Sequence, residues 1–150
     1  MRIEVSHRFA VPLEEGFAYI TDLANWHAYW PRFVRLDPES RWREPGDRAR
    51  VTLRMLGRDV ELDMTLAHIE PGRVVEYTST QRGLPPARHW RHFEAADTGF
   101  DYRIVIEYRP RPGWRGLLDR TIVKRAITAS ARETIRNLAA RLREIGGMHR

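Results

Sequence analysis

Ile3, Val5, His7 and Phe9 alternate with Glu4, Ser6 and Arg8, a period of two that predicts a strand with one inward face. Pro12 then occupies a first-turn position, and Glu14 and Glu15 follow where a helix N-terminus favours negative charge, so residues 12–20 read as a short helix. Asp22 is placed to cap a second short helix, which carries Trp26, Tyr29 and Trp30 and stops by Pro31, with Phe33 just beyond. From Phe33 to Arg109 the chain alternates again, punctuated by the turn signals EPGD, LGRD, EPGR, GLPP and ADTG. Spacers this short imply an antiparallel meander. Ala49, Val51, Leu53 and Met55 share one face of their strand, Val60, Leu62, Met64, Leu66 and His68 one face of the next. Val75, Tyr77, Ser79 and Gln81 form a third such set, and Tyr102, Ile104, Ile106 and Tyr108 a fourth. The strand ARHWRHFEA cannot be phased, because Trp90 and His92 claim one face while His89, Arg91 and Phe93 claim the other.

Beyond the RPRPGWRG turn no further Gly or Pro occurs before Gly146, and the content of Ala, Leu, Arg and Ile predicts one long helix over 115–145 with a glycine C-cap. Leu117, Leu118, Ile122, Ala126, Ala129, Ile135, Leu138, Leu142 and Ile145 make a wide apolar stripe that the one-sided sheet is available to cover. The elements describe an α+β protein: one strand, two short helices, about six more strands and a long C-terminal helix. A strongly curved sheet wrapped round one helix does not close fully, so a cavity is expected between them, with the short helices as a lid.

Composition narrows the chemistry. A chain of 150 residues with 42% apolar content suits a single domain, 1–150, with one core. No run is long and apolar enough for a membrane span and the N-terminus lacks a signal-peptide core, which makes a cytoplasmic location the expectation. The absence of cysteine excludes disulfides, thiolate metal sites and thiol nucleophiles. The net charge of +6 invites a nucleic-acid reading, but the basic residues are dispersed, and the nearest stripe, Arg132, Arg136 and Arg143, reads as a solvated helix face. No nucleic acid is expected as partner, and a homodimer is left open.

His89 and His92 lie three apart on a strand and so point to opposite faces, and no other His or carboxylate cluster has ligand spacing, so no metal is expected. His7 and His68 fall on inward phases and read as hydrogen-bonded core histidines. Neither a Ser-His-Asp arrangement, a Gly-rich phosphate loop nor an inward carboxylate pair is supported. The inward polar set is Tyr77, Ser79, Gln81 and Tyr102, joined by Arg91 from the unphased strand and Arg125 from the helix. Such groups orient a carbonyl or phenol, or act weakly as acid and base. Trp26, Trp30, Phe33, Leu53, Met55, Met64, Ile104, Leu118 and Ile122 are the expected apolar wall.

The order of elements, the FAVPLEEGFAYITDLANWHAYWP start, the GD and EPGR turns and the helix after the seventh strand resemble the START-like, or SRPBCC, superfamily over nearly the whole chain. That superfamily includes polyketide cyclase/dehydrase-type proteins, coenzyme Q-binding proteins and plant pollen allergens. The resemblance implies a helix-grip fold, with a curved sheet of about seven strands round the C-terminal helix, and a hydrophobic ligand pocket; it implies no chemistry by itself. Aromatic polyketide cyclases of this superfamily carry a Trp-x-Ser-x-Arg run where this chain has Tyr77-Thr78-Ser79-Thr80-Gln81, and Gln81 supplies no permanent charge to a developing enolate. The first expectation is therefore a binder of a lipid-like, isoprenoid or polyketide-type molecule. The alternatives are a cofactor-free cyclase/dehydrase using Tyr77, Ser79 or Tyr102, and a ribosome- or protein-binding adaptor with a basic surface. None of the three needs a cofactor.

Overall fold

A computed structural model describes residues 1–55 and 57–148; Leu56, the first residue of the LGRD turn, lies outside the described residues. The chain runs β1 (Arg2–Phe9), α1 (Leu13–Thr21), a single 3-10 turn (Leu23–Asn25), α2 (Trp26–Tyr29), β2 (Phe33–Leu36), β3 (Arg48–Met55), β4 (Arg58–Glu70), β5 (Val74–Gln81), β6 (Ala87–Ala95) and β7 (Phe100–Tyr108). It ends in a continuous helical stretch made of α3 (Trp114–Leu118), a π turn (Asp119–Val123) and α4 (Lys124–Met148). The seven strands form one antiparallel sheet in the order β1-β7-β6-β5-β4-β3-β2, so the first strand closes against the last. α4 packs on β1 and α2 packs on α4, which closes the sheet round the helix as a helix grip. No helix among the described residues is long and apolar enough to cross a membrane.

Asp22 does cap the turn before α2, its Oδ1 accepting from the Ala24 amide at 3.0 Å. Gly99 allows the β6–β7 turn to press on β1: its φ is +94°, and a Cβ there would lie 1.8 Å from the Phe9 carbonyl oxygen. Gly16 likewise lets α1 settle on the sheet, since a Cβ would come within 2.2 Å of the Phe100 ring.

The long helix differs from its expectation in two ways. Gly146 does not end it; the helix continues to Met148, with Gly146 seated where a Cβ would approach Val11 at 3.3 Å. The apolar stripe, moreover, is covered only in its C-terminal half. Ala131, Ile135, Leu138 and Leu142 are buried against the sheet, whereas Leu117, Ile122, Ala126 and Ala129 are exposed. A cavity, not side chains, occupies the space beside that first half.

One histidine also leaves its expected face. A β-bulge after Leu66 shifts the register from Leu66 opposite Tyr77 to His68 opposite Glu76, which turns His68 out to solvent and Ile69 inward. His7 keeps its phase, opposite Tyr102, but is exposed beside Phe9, ring centroids 4.9 Å apart. The phase of β6 is set by its neighbours: Val75 pairs with Arg91 and Tyr77 with His89, so His89, Arg91 and Phe93 face inward and Trp90 and His92 outward. On the outer face the arginines are interleaved with acids, as in Arg50–Asp63 at 2.7 Å, Arg8–Asp101 at 2.8 Å and Arg88–Glu76 at 2.6 Å.

Candidate functional site

A cavity of about 480 Å³ lies between the first half of α4, the short helices and the inner face of the sheet. That volume falls in the range of small-molecule sites, roughly 300–1,000 Å³. Trp26 and Trp30 close one end, and Leu53, Met55 and Met64 floor it from β3 and β4. Tyr77, Ser79, Gln81, Arg91 and Tyr102 reach it from β5, β6 and β7, and Ile122 from the π turn. Phe33, Ile104, Leu118 and Arg125 lie outside this wall. Phe33 packs half-buried at the start of edge strand β2, and Ile104 is fully buried in the sheet with Val5 and Arg91 beside it. Leu118 precedes the π turn, whose extra residue hands the wall to Ile122 and Val123, and Arg125 stands on the solvent side of α4.

The aromatic wall is a connected chain of rings. Trp26 lies 5.5 Å from Trp30 and edge-on to Trp42 at 5.5 Å; Trp42 meets Tyr77 at 5.3 Å, and Tyr77 stacks on His89 at 4.4 Å with planes 3° apart. The polar tips of this wall are tied down. Trp26 Nε1 and Tyr29 Oη both donate to the Ile20 carbonyl, at 3.1 and 2.7 Å, using the free carbonyl at the end of α1. Trp42 comes from the β2–β3 loop, where no periodicity marks it as inward.

Two polar pairs sit in this apolar frame. Arg91 Nη2 donates to Tyr77 Oη at 2.9 Å, while its Nη1 is buried with no hydrogen-bond partner. Ser79 Oγ lies 2.7 Å from His89 Nε2, and His89 Nδ1 is buried without a partner. Gln81 is turned to Met55, its Nε2 3.3 Å from Sδ. Burial, with help from the Arg91 charge, drives the His89 pKa down to about 3, so the imidazole is neutral. Burial also opposes the charge on Arg91, while Tyr77, Tyr102 and Tyr29, once ionised at high pH, would favour it and move its pKa upward, so the guanidinium is charged wherever these phenols are protonated. Tyr102 is pushed up to about 12 and Tyr77 upward, in both cases by burial against the opposing pull of Arg91.

The site therefore offers one permanent cation, phenols that stay protonated and a neutral imidazole. No carboxylate pairs with Arg91 among the described residues; Glu133, on the helix side of the cavity, makes no ion pair. Ser79 and His89 form no nucleophilic pair of useful strength, because no acid orients the imidazole and its basicity is low. Among the described residues no three His, Asp or Glu side chains gather as metal ligands. The arrangement suits holding an apolar body with an anionic or carbonyl oxygen directed at Arg91. Sequence reasoning passed over His89 as a site residue; the signal for it was parity with Phe93, available only once β6 was phased.

Residues 1–143 match the family described as polyketide cyclase / dehydrase and lipid transport. No curated protein matches the chain in sequence. Among solved structures, TTHA0849 from Thermus thermophilus is similar with a TM-score of 0.78 at 16% identity, covering 97% of this chain and 99% of that one. The di-domain ARO/CYC StfQ from the steffimycin biosynthetic pathway gives 0.77 at 18% identity, covering 97% of this chain and 52% of that one. Ara h 8.0201 gives 0.75 at 14% identity, covering 96% and 98%. At these identities the likeness is one of fold.

Proposed function

The chain belongs to the polyketide cyclase/dehydrase and lipid transport family, within the START-like helix-grip proteins, and from that premise we propose that it is a cytoplasmic binder of an apolar small molecule with one acidic end. The observation that carries this reading is Arg91: a guanidinium inside an apolar cavity with no carboxylate partner and one unpaired terminal nitrogen. Buried charges are normally paired, and here the missing partner is expected on the ligand. Apolar burial supplies the affinity, Trp26, Trp30 and Trp42 supply flat contact area, and Arg91 with the Tyr77 hydroxyl sets which end of the ligand goes in.

Calorimetric titration with decanoate and with decanol tests it. Decanoate is expected to bind at least tenfold more tightly, and equal affinities would remove the role given to Arg91. Failure of both probes to bind would count against the binding reading itself.

A second reading, cofactor-free cyclisation of a polyketide-type substrate, draws support from the same pair. Arg91 brings from β6 the positive charge that Gln81 lacks on β5, beside a phenol able to donate to an enolate oxygen. The groups that would have to accept a proton are weak, however, since His89 is neutral with low basicity and the phenols hold their protons. Turnover is accordingly placed second. The adaptor reading draws little support from the sheet, where outer arginines such as Arg8, Arg50, Arg54 and Arg88 are paired with adjacent acids.

A further inference from the structure

The start of the C-terminal helical stretch carries a surface that the cavity does not explain. Trp114, Leu117 and Ile122 are 70%, 65% and 63% exposed, the most exposed large apolar side chains among the described residues, and all three lie within one short segment. Within that segment every exposed charge is positive. Arg115, Arg120, Lys124 and Arg125 are exposed and make no ion pair among the described residues. The one acid of the segment, Asp119, is fully buried and held by Arg111, whose Nη2 and Nε donate to it at 2.7 and 3.0 Å. Arginines such as Arg50 and Arg8 on the sheet have acidic neighbours, whereas this segment joins its unpaired cations to exposed apolar side chains.

We propose that the segment from Trp114 to Arg125 docks on an anionic lipid bilayer surface. An exposed tryptophan with two aliphatic side chains, flanked by cations, is the composition that seats a helix in the headgroup layer. The cations supply the attraction to the surface and the three apolar side chains enter the acyl boundary. A second copy of this chain is a poor occupant, because it would bring the same unpaired positive charges face to face. The segment is presented as a rigid ridge: Asp119 also accepts from the Arg111 amide at 2.8 Å and, through its carbonyl, from the Tyr108 hydroxyl, which clamps the helix start to the end of β7. Ile122 belongs both to this ridge and to the cavity wall, so docking brings the cavity mouth to the level of the lipid headgroups. An apolar ligand then passes between bilayer and cavity with little exposure to water. That last step rests on the proposed binding function; the docking does not.

Flotation of the full chain with phosphatidylcholine vesicles, with and without phosphatidylglycerol, tests the proposal at low and high salt. Each basic residue at an anionic surface adds about fivefold to partitioning. The four cations are therefore expected to favour the phosphatidylglycerol vesicles by about 600-fold at low salt, and high salt to abolish the preference. Arg120→Glu combined with Lys124→Glu should lose it, and Trp114→Ser combined with Leu117→Ser should weaken binding about tenfold. Both variants should keep their helical circular dichroism and their affinity for decanoate, since none of the four side chains lines the cavity. Lack of binding to phosphatidylglycerol vesicles, or equal binding to both kinds, overturns the proposal. So does binding that responds to charge reversal but not to loss of Trp114 and Leu117, which would mark the surface as a site for an acidic macromolecule. Decanoate failing to bind the unaltered protein would count against the cavity reading alone.

Discussion

Replacing Arg91 by methionine should stabilise the empty protein while removing the acidic ligand, and the size of the first effect can be worked from its surroundings. Methionine is close to arginine in reach, apolar and flexible enough to fill the same slot. Taking an ion out of water costs several kcal/mol even after the protein relaxes, and the unpartnered Nη1 adds about 1–3 kcal/mol. Against this stand one charged hydrogen bond to Tyr77, worth about 1.5–3 kcal/mol, and the guanidinium 5.6 Å from the Tyr77 ring centroid, worth about 1 kcal/mol. The balance favours Arg91→Met by about 2 kcal/mol. For a domain of this length each kcal/mol moves Tm by about 2–4 °C, so thermal unfolding should occur about 5 °C higher. Decanoate affinity should fall at least about thirtyfold, the loss expected when one member of a buried charge pair is removed, while decanol affinity should hardly change. Differential scanning calorimetry and titration on the same two proteins read both quantities. A lower Tm in Arg91→Met would show that the fold compensates Arg91 internally, and the inference of a missing anionic partner would fail with it.

Other expectations follow from neighbouring groups. His89 has a pKa near 3 in the folded chain against an ordinary 6.5, so between those values the unfolded chain takes up a proton that the folded one refuses. Stability should fall as pH drops through that window, by up to about 1.4 kcal/mol per pH unit, and His89→Gln should flatten the slope in urea titrations between about pH 7 and pH 5. Asp119→Asn leaves Arg111 without its buried partner and should cost about 3 kcal/mol in denaturant unfolding, with high salt failing to mask the loss because Asp119 is fully buried. Gly99→Ala should cost more than about 3 kcal/mol because its Cβ would collide with the Phe9 carbonyl. Gly83→Ala, at a φ of +84° with open space around it, should cost about 1–2 kcal/mol.

Periodicity made the strands legible, and its limits explain what was not. β3, β5 and β7 have one apolar and one polar face, so the inward positions of Val51, Tyr77 and Tyr102 follow from alternation alone. β6 has large side chains on both faces, and only its pairing with β5 decides that His89 and Arg91 face the cavity while Trp90 lies outside beneath Arg88, whose guanidinium is 4.9 Å from its ring. His68 misled for another reason. A bulge inserts one residue without altering the hydrophobic pattern before it, so parity counted from Leu62 runs on past the point where the strand has turned over. Trp42 lies in a loop, where side-chain direction has no period to follow. Arg125 follows the π turn, which adds a residue to one helical turn and rotates what comes after it, whereas Leu118 precedes that turn and stays half-buried outside the cavity lining.

The cavity itself was legible as a consequence of curvature, but its position depends on side-chain volume along one helix. The two halves of α4 both carry apolar or small residues at helical spacing, and the pattern alone treats them as one stripe. In the C-terminal half, where the helix packs on β1, Ile135, Leu138 and Leu142 fill the space and are nearly inaccessible. Where the helix borders the cavity it presents Ala126, Ser130 and Thr134, whose short side chains leave a gap that no strand residue spans. Thr134 and Thr128 turn their hydroxyls back to the Ser130 and Lys124 carbonyls, so they present methyl groups to neighbours without leaving a donor unsatisfied. A chain selected for stability alone would have carried Leu or Ile at 126, 130 and 134, because each filled methylene would stabilise it by about 0.8 kcal/mol. The sequence instead keeps the void and places in its wall an arginine with one buried, unpartnered nitrogen. Small residues on the helix and a cation without a carboxylate partner on the sheet face each other across one space, and under the proposed function both are expected to become favourable when an apolar molecule with an acidic end fills it.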